Sequence, residues 1–231
     1  MKVQFVALTH GTVKVPIKEE HGSEERRAII EQLNAEEMIA YAARVSNPAN
    51  QLNTGTTEKL LGYLIRNRHW SPFEMASMTV EITTSRGIAP QILRHRSFSF
   101  QEFSLRYAEA VDFEVYEARR QDTKNRQNSV DDMSEDDRNW FRKAQEANNE
   151  YAYNLYRCAI DRGIAKEQAR FLLPLTTQTK LYMCGTVRSW IHYIQVRDET
   201  GVQKEHRDIA IEVKKIFIEN FPSTAKALEW K

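Results

Sequence analysis

RHRSFSFQEFSLRY, residues Arg94 to Tyr107, places three arginines, a histidine and a glutamate among three phenylalanines. Guanidinium groups are permanently charged, and their planar fork of donors matches the geometry of phosphate and carboxylate groups. The stretch therefore predicts a site for an anionic ligand, with the phenylalanines either stacked on a heteroaromatic ring or anchored in the core. The open alternative is a half-buried strand whose charged side chains face water.

The residues before this stretch predict a strand followed by a short helix. Met75 to Thr84 alternates and is rich in β-branched residues, as strands are. A helix over Gly87 to Arg94 would carry Gln91, Arg94 and His95 on one face, because they lie three and four positions apart. This spacing permits the three side chains to reach one ligand.

The rest of the chain also mixes strands and helices, so the sequence predicts one α+β domain over residues 1–231. Hydrophobic periodicity and capping residues give the boundaries. Strands are predicted at Val3 to Leu8, Phe113 to Tyr116 and Leu175 to Cys184, and a polar, mobile loop at Gln121 to Asp132. Helices are predicted after a polar loop through His21 and Gly22, from the capping pair Asn34 and Glu37 to Asn47-Pro48, over EKLLGYLIRN, from the capping pair Ser134 and Asp137 to Gly163, over Ala165 to Leu173, over VRSWIHYIQVR and over Gln203 to Asn220.

The helix VRSWIHYIQVR carries two of the remaining arginines. Arg188 and His192 are four residues apart and share one face, whereas Arg197 is nine residues beyond Arg188 and would project oppositely from an unbroken helix. If Arg197 joins the same site, the helix ends or bends near it, or a second subunit supplies the site.

Composition narrows the class of protein. A chain of 231 residues can bury a large core, and a net charge of +1 argues against a bulk electrostatic surface for nucleic acid. Two cysteines, Cys158 and Cys184, are too few for a disulfide framework and are expected to be buried thiols. With neither a signal peptide nor an apolar run of membrane-spanning length, we expect a cytoplasmic protein that does not interact with membranes.

Common catalytic motifs are missing from the sequence. The eight glycines form neither GxGxxG nor GxxxxGK, so a bound nucleotide would be held by side chains. The six histidines lack ligand spacing, and no metal site is expected. Without a GxSxG elbow, Ser104 is expected to hydrogen-bond a ligand rather than to act as a nucleophile.

What remains is arginine beside apolar segments, at Arg94 to Arg106, at Arg170 before LLPL and at Arg188 with Arg197. A buried arginine needs a partner, and few acidic residues are close to these positions in the sequence. We therefore expect a polyanionic ligand.

Four blocks of sequence resemble the flavin-dependent thymidylate synthases. RHR followed by seven residues, Ser104, one residue and Arg106-Tyr107 is similar to the signature of that family. SPFE at Ser71 to Glu74 precedes it, EQARFLLPL at Glu167 to Leu175 and VRSWIHYIQVR follow it, and all four blocks stand in the family's order and spacing. The resemblance covers roughly residues 60 to 215, and four ordered blocks are far more specific than one short motif.

The resemblance implies an α+β fold with mixed helices around an antiparallel-rich sheet, assembled as a homotetramer whose active sites are shared between subunits. The residues implied to contact FAD are Ser77, Arg94, His95, Arg96, Glu102, Arg188 and His192. Those implied to contact dUMP are Gln91, Arg94, Glu102, Phe103, Ser104, Leu105, Arg106, Arg197 and, from a neighbouring subunit, Arg170. Many family members have histidine where Met75 stands, and asparagine where Gln101 and His192 stand.

The resemblance also implies the reaction. NADPH would reduce FAD, 5,10-methylenetetrahydrofolate would donate one carbon, and dUMP would become dTMP. Arg197 is the expected catalytic residue, because a guanidinium beside the uracil ring stabilises the charge that develops there. Two alternatives stay open: an RNA-binding module that uses arginines and phenylalanines for phosphate contact and stacking, and a folate- or nucleotide-binding regulator without turnover.

Overall fold

A computed structural model describes residues 1–16, 28–109 and 112–231 of the chain. The strands in these ranges are β1 Lys2–Leu8, β2 Gly11–Pro16, β3 Ala28–Leu33, β4 Ser77–Ser85, β5 Ser99–Glu102, β6 Arg120–Gln121, β7 Ser129–Val130 and β8 Gln178–Thr186. The helices are α1 Ala35–Ala43, α2 Thr57–Arg66, α3 Ala89–Leu93, α4 Glu135–Asp161, α5 Lys166–Ala169, α6 Val187–Arg197, α7 Lys204–Asn220 and α8 Pro222–Ala227.

The strands form one larger sheet and two ribbons. The larger sheet has the order β1-β4-β8-β5, while β2 pairs with β3 and β6 pairs with β7. Both ribbons are antiparallel, with Gly11 opposite Leu33 in the first and Arg120 opposite Val130 in the second. The predicted α+β class is confirmed.

Local capping chemistry fixes the starts of the helices that the sequence predicted most directly. Asn34 Oδ1 accepts from the Glu37 backbone N–H, and Glu37 Oε2 accepts from the Asn34 backbone N–H, both at 2.9 Å. Such a reciprocal pair satisfies two donors that the first turn of a helix leaves open. Ser134 Oγ accepts from the Asp137 N–H at 3.1 Å at the start of α4, and Gly163 follows that helix with a φ of +77°.

The chain divides into two compact units. The first comprises Met1–Phe5, Val80–Met183 and Tyr193–Val213, and the second comprises Val6–Thr79, Cys184–His192 and Lys214–Lys231. Leu105, Tyr156, Ala159 and Ala169 form a buried cluster in the first unit. In the second unit, the Trp190 indole N–H donates to the Met78 carbonyl at 2.9 Å. The single domain remains a prediction.

Four local predictions were wrong. Residues Ala28–Leu33 form β3 instead of a helix, because they pair along their whole length with β2 and tertiary pairing overrides local propensity. Phe113 to Tyr116 makes only one bridge, from Phe113 to Thr177, instead of a strand. The predicted loop at Gln121 to Asp132 contains most of the β6–β7 ribbon. Cys158 is exposed on α4 rather than buried.

Membrane-spanning helices and metal-binding clusters were also looked for in the described residues. The predicted loop through His21 and Gly22 lies outside the described residues. Across residues 1–16, 28–109 and 112–231, no helix is both long and apolar enough to cross a membrane, and no cluster of three or more histidine, cysteine, aspartate or glutamate side chains could hold a metal ion.

Candidate active site

The RHR block and the VRSWIHYIQVR block meet at one hydrogen bond in the first unit. Helix α6 ends at Arg197, and the Nε–H of Arg197 donates to Nε2 of His95 at 2.8 Å. His95 follows the end of α3, and both side chains are half-buried. Of the arrangements that the sequence left open, the structure shows a helix that ends at Arg197, and this end brings the guanidinium to the RHR segment.

The hydrogen bond also fixes the protonation of His95. A guanidinium group has only donors, so Nε2 of His95 must be the acceptor. A histidine that accepts at Nε2 is neutral and carries its ring proton on Nδ1. The Arg197 guanidinium therefore lies beside an imidazole ring that accepts its hydrogen bond.

Two buried aromatic side chains hold the His95 ring. The Tyr193 ring meets it edge to face, with centroids 4.9 Å apart, and the Tyr193 hydroxyl lies 3.2 Å from Nε2 of His206. Tyr193 and His206 have no solvent exposure. Burial, then the nearby Arg197 and His95, lower the pKa of His206 to about 3, and burial raises the pKa of Tyr193. Both side chains are thus uncharged at neutral pH.

Gln91 also contacts the segment after α6. Its Nε2 donates to Oε1 of Gln203 at 2.6 Å, and Gln203 Nε2 donates to Oε2 of Glu205 at 2.9 Å. Glu205 in turn forms a largely buried ion pair with Arg119, at 2.5 Å. The predicted common helix face is only partly right, because α3 ends at Leu93 and His95 lies beyond it.

Arg94 and Arg96 flank His95 and are exposed. Within the described residues, neither guanidinium group forms a hydrogen bond or an ion pair. Two unpaired, fork-shaped cations beside a polar cluster suit the phosphates of a dinucleotide.

Glu102 is held by a residue that the sequence did not single out. Arg86 Nη1 and the Thr179 hydroxyl both donate to Oε1 of Glu102 at 2.8 Å, and Arg86 Nη2 donates to the Phe103 carbonyl at 2.7 Å. Arg86 precedes the signature by eight residues in a segment with no recognised motif. Its only sequence signal is a charged residue at the end of the Met75 to Thr84 strand.

The loop after Glu102 combines an anchored residue with exposed charges. Leu105 is buried, so a ligand can reach its backbone but not its side chain. The Ser104 hydroxyl accepts from the Arg106 N–H at 3.3 Å. Arg106 lies 3.6 Å from the Glu167 carboxylate, and Arg170 Nε donates to the Glu167 carbonyl at 3.1 Å.

The remaining predicted residues, Ser77, Arg188 and His192, belong to the second unit. Arg188 is ion-paired with Glu74, and the Ser77 N–H donates to the Thr9 hydroxyl at 2.9 Å. The expectation that the arginines lack acidic neighbours was therefore wrong for Arg188 and for Arg106, which lies beside Glu167. The sequence did not show the first pair, because Glu74 is distant from Arg188 along the chain and close to it in space.

The chain was compared with known proteins. Residues 28–223 match the family described as "Thymidylate synthase complementing protein". A protein of Synechocystis sp. named flavin-dependent thymidylate synthase is 61% identical over 200 residues, 87% of this chain and 92% of that protein. A protein of Paramecium bursaria Chlorella virus 1 named probable flavin-dependent thymidylate synthase is 56% identical, over 88% of this chain and 95% of that protein.

A solved structure shares the fold. The UMP/dUMP methylase PolB from Streptomyces cacaoi, bound with 5-Br dUMP, has a TM-score of 0.75 and 26% sequence identity, over 96% of this chain and 95% of that one.

Proposed function

This chain belongs to the flavin-dependent thymidylate synthase family, and on that premise we propose that it converts dUMP to dTMP with FAD as cofactor. NADPH is the reductant and 5,10-methylenetetrahydrofolate the carbon donor, so that the products balance as dTMP, tetrahydrofolate and NADP+. The single observation that carries the proposal is the hydrogen bond from Arg197 to His95, which joins two family blocks 102 residues apart.

Arg197 is the proposed catalytic residue. Uracil becomes reactive at its ring carbons when electron density is drawn toward a carbonyl or ring nitrogen, and a fixed guanidinium stabilises the charge that develops there. The neutral His95 ring orients the Arg197 guanidinium through a hydrogen bond and adds no negative charge that would offset it. Tyr193 and His206 position His95 by packing, since both are buried.

The residues suit a flavin dinucleotide. Exposed Arg94 and Arg96 would pair with its phosphates, because neither has a partner among the described residues. Ser77, His95, Glu102, Arg188 and His192 are the further proposed contacts. A bound flavin supplies the redox chemistry that amino-acid side chains lack.

The substrate phosphate is proposed to bind between Arg106 and Arg170. Both contact Glu167 in one chain, and in a homotetramer with shared sites the Arg170 that completes a site comes from a neighbouring subunit. Gln91, Arg94, Glu102, Phe103, Ser104 and the Leu105 backbone would complete the dUMP contacts. A phosphate dianion displaces Glu167 readily, because the Arg106 pair is exposed and long.

Two measurements test the function. The protein should be yellow or should quench flavin fluorescence on titration with FAD, and anaerobic NADPH should bleach the flavin when dUMP is present. With all reactants, dTMP formation should follow, and UMP run in parallel measures selectivity for the deoxy sugar. A preparation that binds FAD but forms no dTMP would refute the proposal.

The shared site has its own test. Arg106→Ala and Arg170→Ala, each of low activity alone, should regain activity when unfolded and refolded together, because some mixed tetramers contain an intact pair. If the mixed tetramers regain no activity, Arg106 and Arg170 of the same subunit contribute to the same active site.

A further inference from the structure

A second cavity lies in the first unit, beside the β6–β7 ribbon and the start of α4. It has a volume of about 420 Å³, and its walls include Arg119, Arg126, Asn128, Trp140, Phe141 and Gln203. We call it the Trp140 cavity. Ligand sites of small molecules begin at about 300 Å³ and combine aromatic walls with a few polar groups.

One unpaired guanidinium in the wall of the Trp140 cavity can attract an anion. Among the described residues the wall has two acids, and each has another partner: Glu117 lies 3.6 Å from the Lys204 ammonium, and Asp137 keeps its charge but accepts from the Ser134 hydroxyl at 2.6 Å. Arg126 is exposed and its guanidinium has no partner within the described residues. The positive charge of Arg126 is therefore left for a ligand.

Arg119 adds a directed donor. Its Nε donates to the Ser129 hydroxyl at 2.9 Å and its Nη2 donates to Glu205, whereas its Nη1 is buried and has no hydrogen-bond partner within the described residues. A buried donor without a partner is costly unless a water or ligand satisfies it.

Trp140 supplies a stacking surface. Its side chain is 69% exposed although it is large and apolar, and Phe141 follows it in the wall. An exposed indole beside the unpaired guanidinium of Arg126 and the free Nη1 donor of Arg119 is suited to a planar aromatic ring that carries carboxylate or phosphate groups.

Hydrogen bonds organise the polar wall of the cavity. Asp122 Oδ1 accepts from the backbone N–H groups of Lys124 and Asn125, at 2.8 and 3.2 Å, and its Oδ2 accepts from Asn128 Nδ2 at 2.9 Å. These bonds hold the turn that carries Arg126, so a ligand would meet a preformed site.

Gln203 connects this cavity to the candidate active site. It lines the cavity and accepts the hydrogen bond from Gln91 at 2.6 Å. A ligand at this wall therefore lies one side chain away from a proposed dUMP contact, in the same unit.

We propose that the Trp140 cavity binds the anionic, aromatic part of a second reactant in dTMP formation. Both the folate carbon donor and the nicotinamide nucleotide reductant have this chemistry, since each carries aromatic rings and negative charges. The proposal rests on the proposed function, because it assigns a site to one of the reactants of that reaction.

Steady-state kinetics of the FAD-loaded enzyme test the assignment. Trp140→Ala and Arg126→Ala should each raise the KM for one reactant about tenfold, as expected for the loss of stacking or of a charged hydrogen bond. The KM for dUMP and the kcat should stay within about twofold, and Trp140→Phe should restore most of the affinity. The reactant whose KM rises identifies the occupant.

Two exposed side chains on α4 provide matched controls. Tyr151→Ala removes an aromatic ring that is 67% exposed, and Arg142→Ala removes a guanidinium whose one ion-pair partner among the described residues is Glu146, 3.0 Å away. Neither lines the cavity. Both controls should leave every KM unchanged.

The outcomes separate this proposal from the proposed function. If wild-type enzyme forms dTMP while neither KM changes, or if Trp140→Ala merely loses FAD, the cavity is not a reactant site and the function stands. If the wild-type enzyme forms no dTMP, the proposed function is refuted, and direct binding measurements then test the cavity proposal by themselves. Folic acid or NADP+ should then quench the tryptophan fluorescence of the wild-type protein, and this quenching should disappear in Trp140→Phe. If neither compound quenches the fluorescence, the cavity proposal is overturned.

Discussion

Arg197 Nε donates to His95 Nε2 at 2.8 Å, so the cation at the end of α6 is oriented by a neutral ring. Replacing Arg197 with alanine removes the proposed stabilising charge but leaves Arg94 and Arg96 in place. We expect Arg197→Ala to retain FAD and to lose about 10²- to 10³-fold in kcat, the cost of removing one electrostatic donor. Flavin absorbance and dTMP formation, measured on the same preparation, check this. Unchanged turnover would remove Arg197 from the mechanism.

Arg86 should contribute to stability and to dUMP binding although it belongs to no sequence motif. Among the described residues, Arg86→Ala leaves the Thr179 hydroxyl, at 2.8 Å, as the hydrogen-bond donor to Glu102, and it removes the donor to the Phe103 carbonyl. We expect a loss of about 1–3 kcal/mol in unfolding free energy, as for hydrogen bonds to charged groups, and a raised KM for dUMP. Urea denaturation and kinetics measure both.

A surface arginine provides the comparison for Arg86. Arg142→Ala breaks an exposed pair with Glu146, which should cost at most about 0.5 kcal/mol. Equal losses for the two variants would mean that Arg86 has no special role.

His206 should make stability depend on pH. Its folded pKa of about 3 lies below the ordinary value of 6.5, so the unfolded chain binds the extra proton between these values. The free energy of unfolding should therefore fall as the pH is lowered from 6.5, by at most about 1.4 kcal/mol per pH unit from this residue. His206→Gln, which does not titrate, should show a shallower slope between pH 6.5 and 5 in urea melts. Parallel slopes would contradict the assignment.

Glu167 competes with the substrate phosphate in the proposed site. Its carboxylate lies 3.6 Å from Arg106 and is half exposed. Glu167→Gln should lower the KM for dUMP up to about fivefold, since exposed pairs contribute about 0.2–1 kcal/mol. Glu146→Gln, which removes another exposed acid, should leave it unchanged. A higher KM in Glu167→Gln would show that this carboxylate helps the phosphate to bind.

Local chemistry was readable in the sequence. The capping pairs at Asn34 and Ser134 need only residues three positions apart, and both form as predicted. The spacing of nine residues between Arg188 and Arg197 left three possibilities for a shared site, namely that the helix ends near Arg197, that it bends there, or that a second subunit supplies the site; α6 does end at Arg197. Such features depend on neighbours along the chain, so no tertiary information is needed.

Contacts between residues that are distant along the chain could not be predicted from the sequence. Ala28–Leu33 becomes a strand because β2 offers a full ladder, and the acid that pairs with Arg188 is 114 residues away at Glu74. Arg86 was missed for the same reason, because its partners Glu102 and Thr179 lie on other elements. A count of acids near each arginine in sequence cannot detect such contacts.

Helix α4 has a further experimental use. Trp140 lies near its start and the exposed Cys158 near its end, while Cys184 is half-buried. At about 1.5 Å per residue, a straight helix separates the two positions by about 27 Å. If Trp70, Trp190 and Trp230 are replaced with phenylalanine, a dye attached to Cys158 and excited by energy transfer from Trp140 would work as an internal ruler, and quenching of the donor would reveal a molecule at the indole without any catalytic turnover.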